Sequence, residues 1–210
     1  MILRGPFWWT RDLMGLERML VMLYKDPALL EEILDHYLEF HLKVLPGALT
    51  EVEVDYVVFN EDMAYKSGPM ISPETFREYM SPVYYEICKL MRSYGVKVLM
   101  VDSDGNVEPL IPKLLKVGIN SITPCEVAAG MNVVELRRRY PNLVMMGGLD
   151  KRKLAKGSME IEEEVYRKVP LLVRTKGYFP GVDHAVPPDI SFQNFSYFVL
   201  LLKKLCGWEV

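Results

Sequence analysis

The chain has 210 residues, with 25 Lys and Arg against 28 Asp and Glu and a formal charge of -3 at pH 7; so even a balance gives no basis for a nucleic-acid or anionic-membrane partner. Half of the residues are hydrophobic and 11% are aromatic, which is enough for a large core and too much for a disordered chain. Three cysteines, Cys88, Cys125 and Cys206, are an odd number without C-x-x-C spacing, so neither a disulfide framework nor a cysteine-rich zinc site follows, and a reducing cytoplasm is the expected compartment.

No basic segment followed by a sustained apolar run opens the chain, and the longest apolar stretches, such as 198–202, fall far below the ~18 residues of a membrane span. Residues 1–7 are predicted as a strand, and Asp26-Pro27 starts a helix running to about Leu45. Residues 54–59 are rich in β-branched and aromatic side chains and read as a strand, followed by Glu61-Asp62 and a Gly68-Pro69 turn. Ser72-Pro73 opens a helix that Pro82 should interrupt before it ends near Gly95.

The unit repeats. Strands are predicted at 96–101, 119–122, 143–146 and 177–182, with helices at 110–117, after Asn132, after Ser158 and at 190–205. Six strand candidates, each followed by helix and with no linker-like stretch between them, predict one domain of the α/β class. Uniformly apolar strand interiors indicate parallel strands, and polar residues gathered at their C-terminal ends indicate a TIM (β/α)8-type barrel with its site at that mouth. A barrel takes eight strands and typically ~250 residues, so about six β/α units make it incomplete. A doubly wound open sheet is the rival, without the glycine-rich phosphate motifs that usually support it.

Just past the strands stand Arg4, Trp8, Trp9, Arg11 and Asp12; Glu61 and Asp62; Asp102 and Asp104; Glu126; Asp150, Lys151 and Arg152; and Asp183 and His184. In a barrel these converge on one mouth, although helix caps and turns account for acids at such positions too. Asp102 and Asp104, two apart on extended backbone, point the same way and suit a shared cation or proton; an Asp-Gly turn explains the same pair. The D-x-D-G-N run is not a calcium loop, because position 12 would be Lys113. His184 is the one histidine at a strand end, in a loop stiffened by Pro187-Pro188, where an imidazole suits metal binding or proton exchange. His36 and His41 fall in the long helix, and Met19, Met22, Met91 and Met100 in core-like patterns. Cys125 lacks a neighbouring base.

These strand ends make the sequence recognisable: it resembles the uroporphyrinogen decarboxylase superfamily, which includes corrinoid-dependent methyltransferases. Gly5-Pro6-Phe7 resembles that family's Gly-x-Pro-Trp strand end. Glu61-Asp62-Met-Ala with Ser72-Pro73-Glu74-x-Phe76 resembles its Asp-Ser-Trp-Ala and Ser-Pro-Glu-x-Phe segments. Gly147-Gly148-Leu149-Asp150 resembles Gly-Asn-Leu-Asp, and Asp183-His184-x-Val-Pro-Pro with Asn194 resembles the final Gly-His-Gly-x-x-Pro and Asn segment. The resemblance implies a TIM barrel entered near the family's third strand, without the decarboxylase's arginine-rich motif and essential aspartate. His184 matches that enzyme's site histidine, and Asp12 stands where it has a tyrosine.

The methyltransferase branch binds zinc through His-x-Cys and a later Cys. Here those positions are Asp102, Asp104 and a place at or beside His184, so the resemblance implies a harder donor set suited to Mn, Fe or Zn. The expected function is methyl transfer on a small anionic or methylated substrate, with Asp62, Asp104 and His184 catalytic, and Arg11, Asp12, Glu61, Glu126, Lys151 and Arg152 binding substrate. A corrinoid would come on a partner protein. Uroporphyrinogen decarboxylation is one alternative. The other is a non-catalytic barrel whose open sheet edges are covered by a partner or by a second copy of the chain.

Overall fold

The computed structural model describes residues 1–208. The described residues form two compact units, one over Met1–Ser121 and one from Ile122 onward.

The first unit opens with β1 (Ile2–Arg4), α1 (Pro6–Met14), α2 (Leu16–Lys25) and α3 (Pro27–Glu51). The expected strand at 1–7 stops at Arg4 because Pro6 has no N–H for a sheet ladder and instead takes the first helical turn, after Gly5. The Asp26 side chain accepts the Leu29 N–H at 3.3 Å and starts α3, which continues past Leu45 and through Pro46. Then come β2 (Tyr56–Asn60), the two-residue strands β3 (Ala64–Tyr65) and β4 (Gly68–Pro69), and α4 (Pro73–Thr75). The expected break at Pro82 is a widened turn instead: Phe76–Met80 is π-helical and leads straight into α5 (Ser81–Ser93). Five-residue spacing absorbs the donor that Pro82 lacks. Next follow β5 (Val98–Asp102), a 3-10 turn at Glu108–Leu110 and α6 (Ile111–Lys116).

β2 pairs in parallel with β1 from Ile2↔Val58 to Arg4↔Asn60, and with β5 from Tyr56↔Val98 to Asn60↔Asp102. Arg4, Asn60 and Asp102 therefore end their strands level with one another. Beneath them Phe7, Phe59, Met63, Phe76 and Tyr84 are fully buried, and burying each such side chain is worth about 1.5–3 kcal/mol.

β6 (Ser121–Thr123) begins at the last residue of the first unit. The second unit continues with a 3-10 turn at Val127–Ala129, α7 (Val133–Arg139), β7 (Val144–Leu149), α8 (Lys151–Leu154), α9 (Ser158–Arg174), β8 (Tyr178–Val182) and α10 (Phe192–Cys206). β7 and β8 pair in parallel from Met145↔Tyr178 to Leu149↔Val182. Gly147 and Gly148 both have positive φ, and a Cβ on Gly148 would overlap the Val133 side chain, so β7 can end in that course only without side chains. The Asn132 side chain caps α7 and Ser191 caps α10. Among the described residues no helix is long and apolar enough to cross a membrane.

Candidate active site

In the first unit the level strand ends bring the backbones of three acidic residues, Asp62, Asp102 and Asp104, close together. Glu61 N–H and Asp62 N–H donate to the Asp102 carbonyl at 2.9 and 3.3 Å, and the Met63 N–H donates to Ser103 Oγ at 3.0 Å. The Asp104 N–H then donates to Asp62 Oδ1 at 3.2 Å. Asp62 adopts φ +42°, a conformation costly for a residue with a side chain and concentrated at functional sites. Asp62, Asp102 and Asp104 all remain partly exposed. Gly105 closes the turn behind them, where a Cβ would meet the Ala64 carbonyl oxygen at 2.5 Å.

The end of β1 and helix α1 supply the cations. The Arg11 guanidinium lies 3.8 Å from the centre of the Trp8 ring and Arg4 lies 4.7 Å from it, within the range of a cation–π contact. Arg11 Nη1 is also 3.4 Å from the Asp62 carbonyl oxygen. Arg4 pairs with Asp12 at 3.6 Å across exposed side chains, a contact of small energetic weight.

Glu61 does something other than face a substrate. It is fully buried. Its Oε1 accepts the Tyr84 hydroxyl, its Oε2 accepts the Trp8 N–H at 2.8 Å, and the Phe7 N–H bonds to it as well. The carboxyl group thus serves the first turn of α1, whose own cap, Gly5, offers no side chain. Burial pushes the Glu61 carboxyl up to about 8, against the Tyr84, Trp8 and Phe7 hydrogen bonds and the Arg11 charge, which favour the ionised form. His41 is likewise structural: its Nδ1 lies 2.8 Å from the Tyr37 carbonyl, its ring packs among Trp9, Tyr37 and Phe40, and burial lowers its pKa.

In the second unit Asp183 is 1% exposed. Its two oxygens accept the Val127 N–H at 2.9 Å and the Lys151 N–H at 3.1 Å, with Lys151 Nζ 3.8 Å away. It ties the 3-10 turn to the start of α8 and sets the Lys151 side chain. Asp150 caps α8 through the Arg152 N–H at 3.0 Å and takes the Arg152 guanidinium in two bonds of 2.8 and 2.7 Å; the guanidinium holds the Asp150 carboxyl below its ordinary range. Glu126 is half-buried, and His184 is exposed in the loop after β8. Cys125 is buried, and burial pushes its thiol up to about 12, the state of an inert cysteine.

Four residues outside the expected set organise these ends: Ser103 and Tyr84 in the first unit, Glu164 and Lys168 in the second. Glu164 Oε1 accepts the Asp150 N–H at 2.9 Å and the Lys168 ammonium, which also donates to the Gly148 carbonyl at 2.8 Å. Arg167 reaches Glu164 Oε2 at 2.5 Å. Burial pushes Glu164 up, but the Lys168 hydrogen bond, the Asp150 N–H and the Lys168 charge outweigh it and hold the group below its ordinary range. The signal for the pair was present: residues 161, 164, 165, 168, 169 and 172 form one helical face, and all six are buried.

Among the described residues no group of three or more His, Cys, Asp or Glu side chains is arranged to hold a metal ion. Asp62 Oδ1 already accepts a main-chain N–H.

Comparison with known proteins places this architecture. The model of the uroporphyrinogen decarboxylase (URO-D) family matches residues 2–205. A methyltransferase from Methanosarcina mazei superposes with a TM-score of 0.70 at 17% identity, over 97% of this chain and 57% of its own. A curated uroporphyrinogen decarboxylase from Hydrogenobaculum sp. (strain Y04AAS1) is 31% identical over 68 residues, 32% of this chain and 20% of the relative. The fold is α/β with parallel strands, of the TIM-barrel type, as expected. The chain belongs to the uroporphyrinogen decarboxylase family, and it spans about half the length of the methyltransferase it matches.

Proposed function

We propose that the chain is the catalytic part of a URO-D-family enzyme that transfers a methyl group to or from a small anionic substrate. In this reading Arg11 holds the anion, and Asp62 and Asp104 take or return the proton that the methyl acceptor loses or regains. In the second unit Lys151 and Arg152, set by Asp183 and Asp150, are assigned to binding substrate, and His184 to proton exchange. The methyl donor would be a corrinoid carried by a partner protein. The observation that carries the reading is the Asp62 carboxylate, fixed by the Asp104 N–H at 3.2 Å on a backbone at φ +42°, with Arg11 against the same residue's carbonyl. Such a group is oriented for proton transfer before substrate arrives.

The family model and the curated relative favour a second reading, decarboxylation of a porphyrinogen. One experiment separates the two. Anaerobic incubation with methylcob(III)alamin and a small anionic thiol should yield cob(I)alamin absorbance and the methyl thioether in equal amounts. Carbon dioxide released from uroporphyrinogen, with no demethylation, would establish the second reading instead, and inactivity in both assays would overturn both.

A further inference from the structure

Helix α1 carries Trp8, Arg11 and Asp12, yet it is not held at its N-terminus by its own sequence: Gly5 has no capping side chain, and Pro6 has no N–H. What meets its first two N–H groups is Glu61, fifty-odd residues away, at the end of β2. Glu61 is in turn held by the Tyr84 hydroxyl from α5, and the space it occupies is available only because residue 5 lacks a Cβ, which would overlap the Glu61 carboxyl carbon. The next residue in the chain is Asp62, whose carbonyl meets Arg11. One two-residue segment therefore holds both the helix that presents the guanidinium and the carbonyl it meets.

We infer that Glu61 is a positioning residue: bound to Tyr84, it fixes the first turn of α1 so that Arg11 stands over Trp8 and against Asp62, ready to receive an anion. This rests on the anion-binding role proposed for Arg11, and goes beyond it in assigning the orientation of that site to a buried acid that no substrate touches. A neutral amide in place of the carboxylate keeps the size but replaces one acceptor oxygen with a donor aimed at N–H groups. The first turn of α1 then loses part of its cap and Arg11 loses its fixed place.

Inorganic sulfate, which does not titrate near neutrality, is the probe. Its dissociation constant is measured calorimetrically at pH 9, above the Glu61 pKa of about 8, on the full chain for the parent, Glu61→Gln, Arg11→Ala and the double variant, with hydrogen exchange followed over residues 6–14. Glu61→Gln should weaken sulfate binding about fivefold to tenfold, the equivalent of one charge-assisted hydrogen bond, and speed exchange in that segment. Arg11→Ala should weaken binding at least as much. In the Arg11→Ala background the Glu61 change should add nothing, since it acts through the guanidinium; a merely structural role would add its own loss there. Tyr84→Phe, a gentler change, should show the same effects at smaller size and serves if Glu61→Gln does not fold. Sulfate binding that is unchanged in Glu61→Gln and Tyr84→Phe, or that falls additively in the double variant, overturns the inference. A parent chain that binds no sulfate overturns the anion-binding reading itself, and the positioning role with it.

Discussion

Gly5 and Glu61 compete for one volume. A Cβ built on Gly5 would lie inside van der Waals distance of three Glu61 side-chain atoms, although the Gly5 backbone, at φ -74° and ψ 166°, is open to any residue. The glycine is required by its neighbour rather than by its dihedral angles. Gly5→Ala should lower unfolding free energy by about 1–3 kcal/mol, the usual cost of overpacking a well-filled core. In a Glu61→Ala background, where the carboxyl is gone, the same change should cost much less. Urea denaturation of the four combinations measures the coupling, and an equal cost in both backgrounds would show that the overlap is relieved elsewhere.

Glu61 also makes a prediction about pH. Burial raises its folded-state pKa from about 4.5 to about 8, so below pH 4.5 the group is protonated in both states. As pH climbs from 4.5 toward 8 the unfolded chain releases this proton while the folded chain keeps it. The unfolded state then binds fewer protons, and this group's contribution to stability declines across that window, levelling off above pH 8. The slope approaches about 1.4 kcal/mol per pH unit for one proton. Glu61→Gln should remove that component, so the difference in unfolding free energy between parent and variant should vary from pH 5 to 8. A pH-independent difference would mean that the hydrogen bonds from Tyr84 and the α1 amides outweigh burial and keep the carboxyl ionised.

In the second unit the buried pair Glu164 and Lys168 braces the end of β7. The ammonium reaches the Gly148 carbonyl, and the carboxylate reaches the Asp150 N–H. Lys168→Met should destabilise the chain by about 3–5 kcal/mol, because it leaves a buried carboxylate without its main partner. Glu164→Leu/Lys168→Met should recover part of that loss, since no lone charge remains. Guanidinium titrations give both values, and a double variant no better than the single would put the cost on the freed main-chain groups instead.

How far these features could be read in advance depends on whether they leave a local trace. The parallel strands did, because apolar runs ending in acid are a short-range pattern, and so did Ser72, Asn132 and the Asp26-Pro27 helix start. The helices α1 and α2 did not: a strand-like opening, Ile-Leu-Arg, is cut at Pro6, and only the capping geometry at Gly5 shows where. Asp62 and Asp104 were expected at one site and share a hydrogen bond. Glu61, read as a substrate ligand from its place beside Asp62, is a helix cap, because the acceptor it supplies is missing from a segment more than fifty residues earlier. Ser103 and Tyr84 are anonymous in sequence for the same reason: their partners are made neighbours only by the sheet and by α5. The carboxylate-rich turn at 102–106 looked suited to a cation, yet among the described residues no group of three or more His, Cys, Asp or Glu side chains is arranged to hold one.

The arrangement of these acids makes a prediction about metal. Elemental analysis of protein purified without chelator should show substoichiometric Zn, Mn and Fe, unchanged in Asp102→Ala/His184→Ala, and excess chelator should leave the melting temperature where it was. A mole of metal per chain that disappears in the double variant would restore the hard-ligand site expected from the sequence and replace the proton chemistry assigned to Asp62.

Asp62→Asn isolates charge from geometry. The asparagine amide oxygen can accept the Asp104 N–H as Asp62 Oδ1 does, and Asn adopts positive φ at least as readily as Asp, so the turn should survive with a melting temperature close to that of the parent. The group can no longer accept a proton. If Asp62 is the acid–base residue, turnover in the methyl-transfer assay should fall about 100-fold or more while the substrate KM changes little, the pattern of an interaction made in the transition state rather than in binding. Asp104→Asn leaves its main-chain N–H in place and should cost less, because the backbone of residue 104, not its side chain, orients Asp62. Equal losses at both positions would mean that the two carboxylates share the proton. A large rise in KM in Asp62→Asn with turnover unchanged would make Asp62 a binding residue and leave the proton to Asp104.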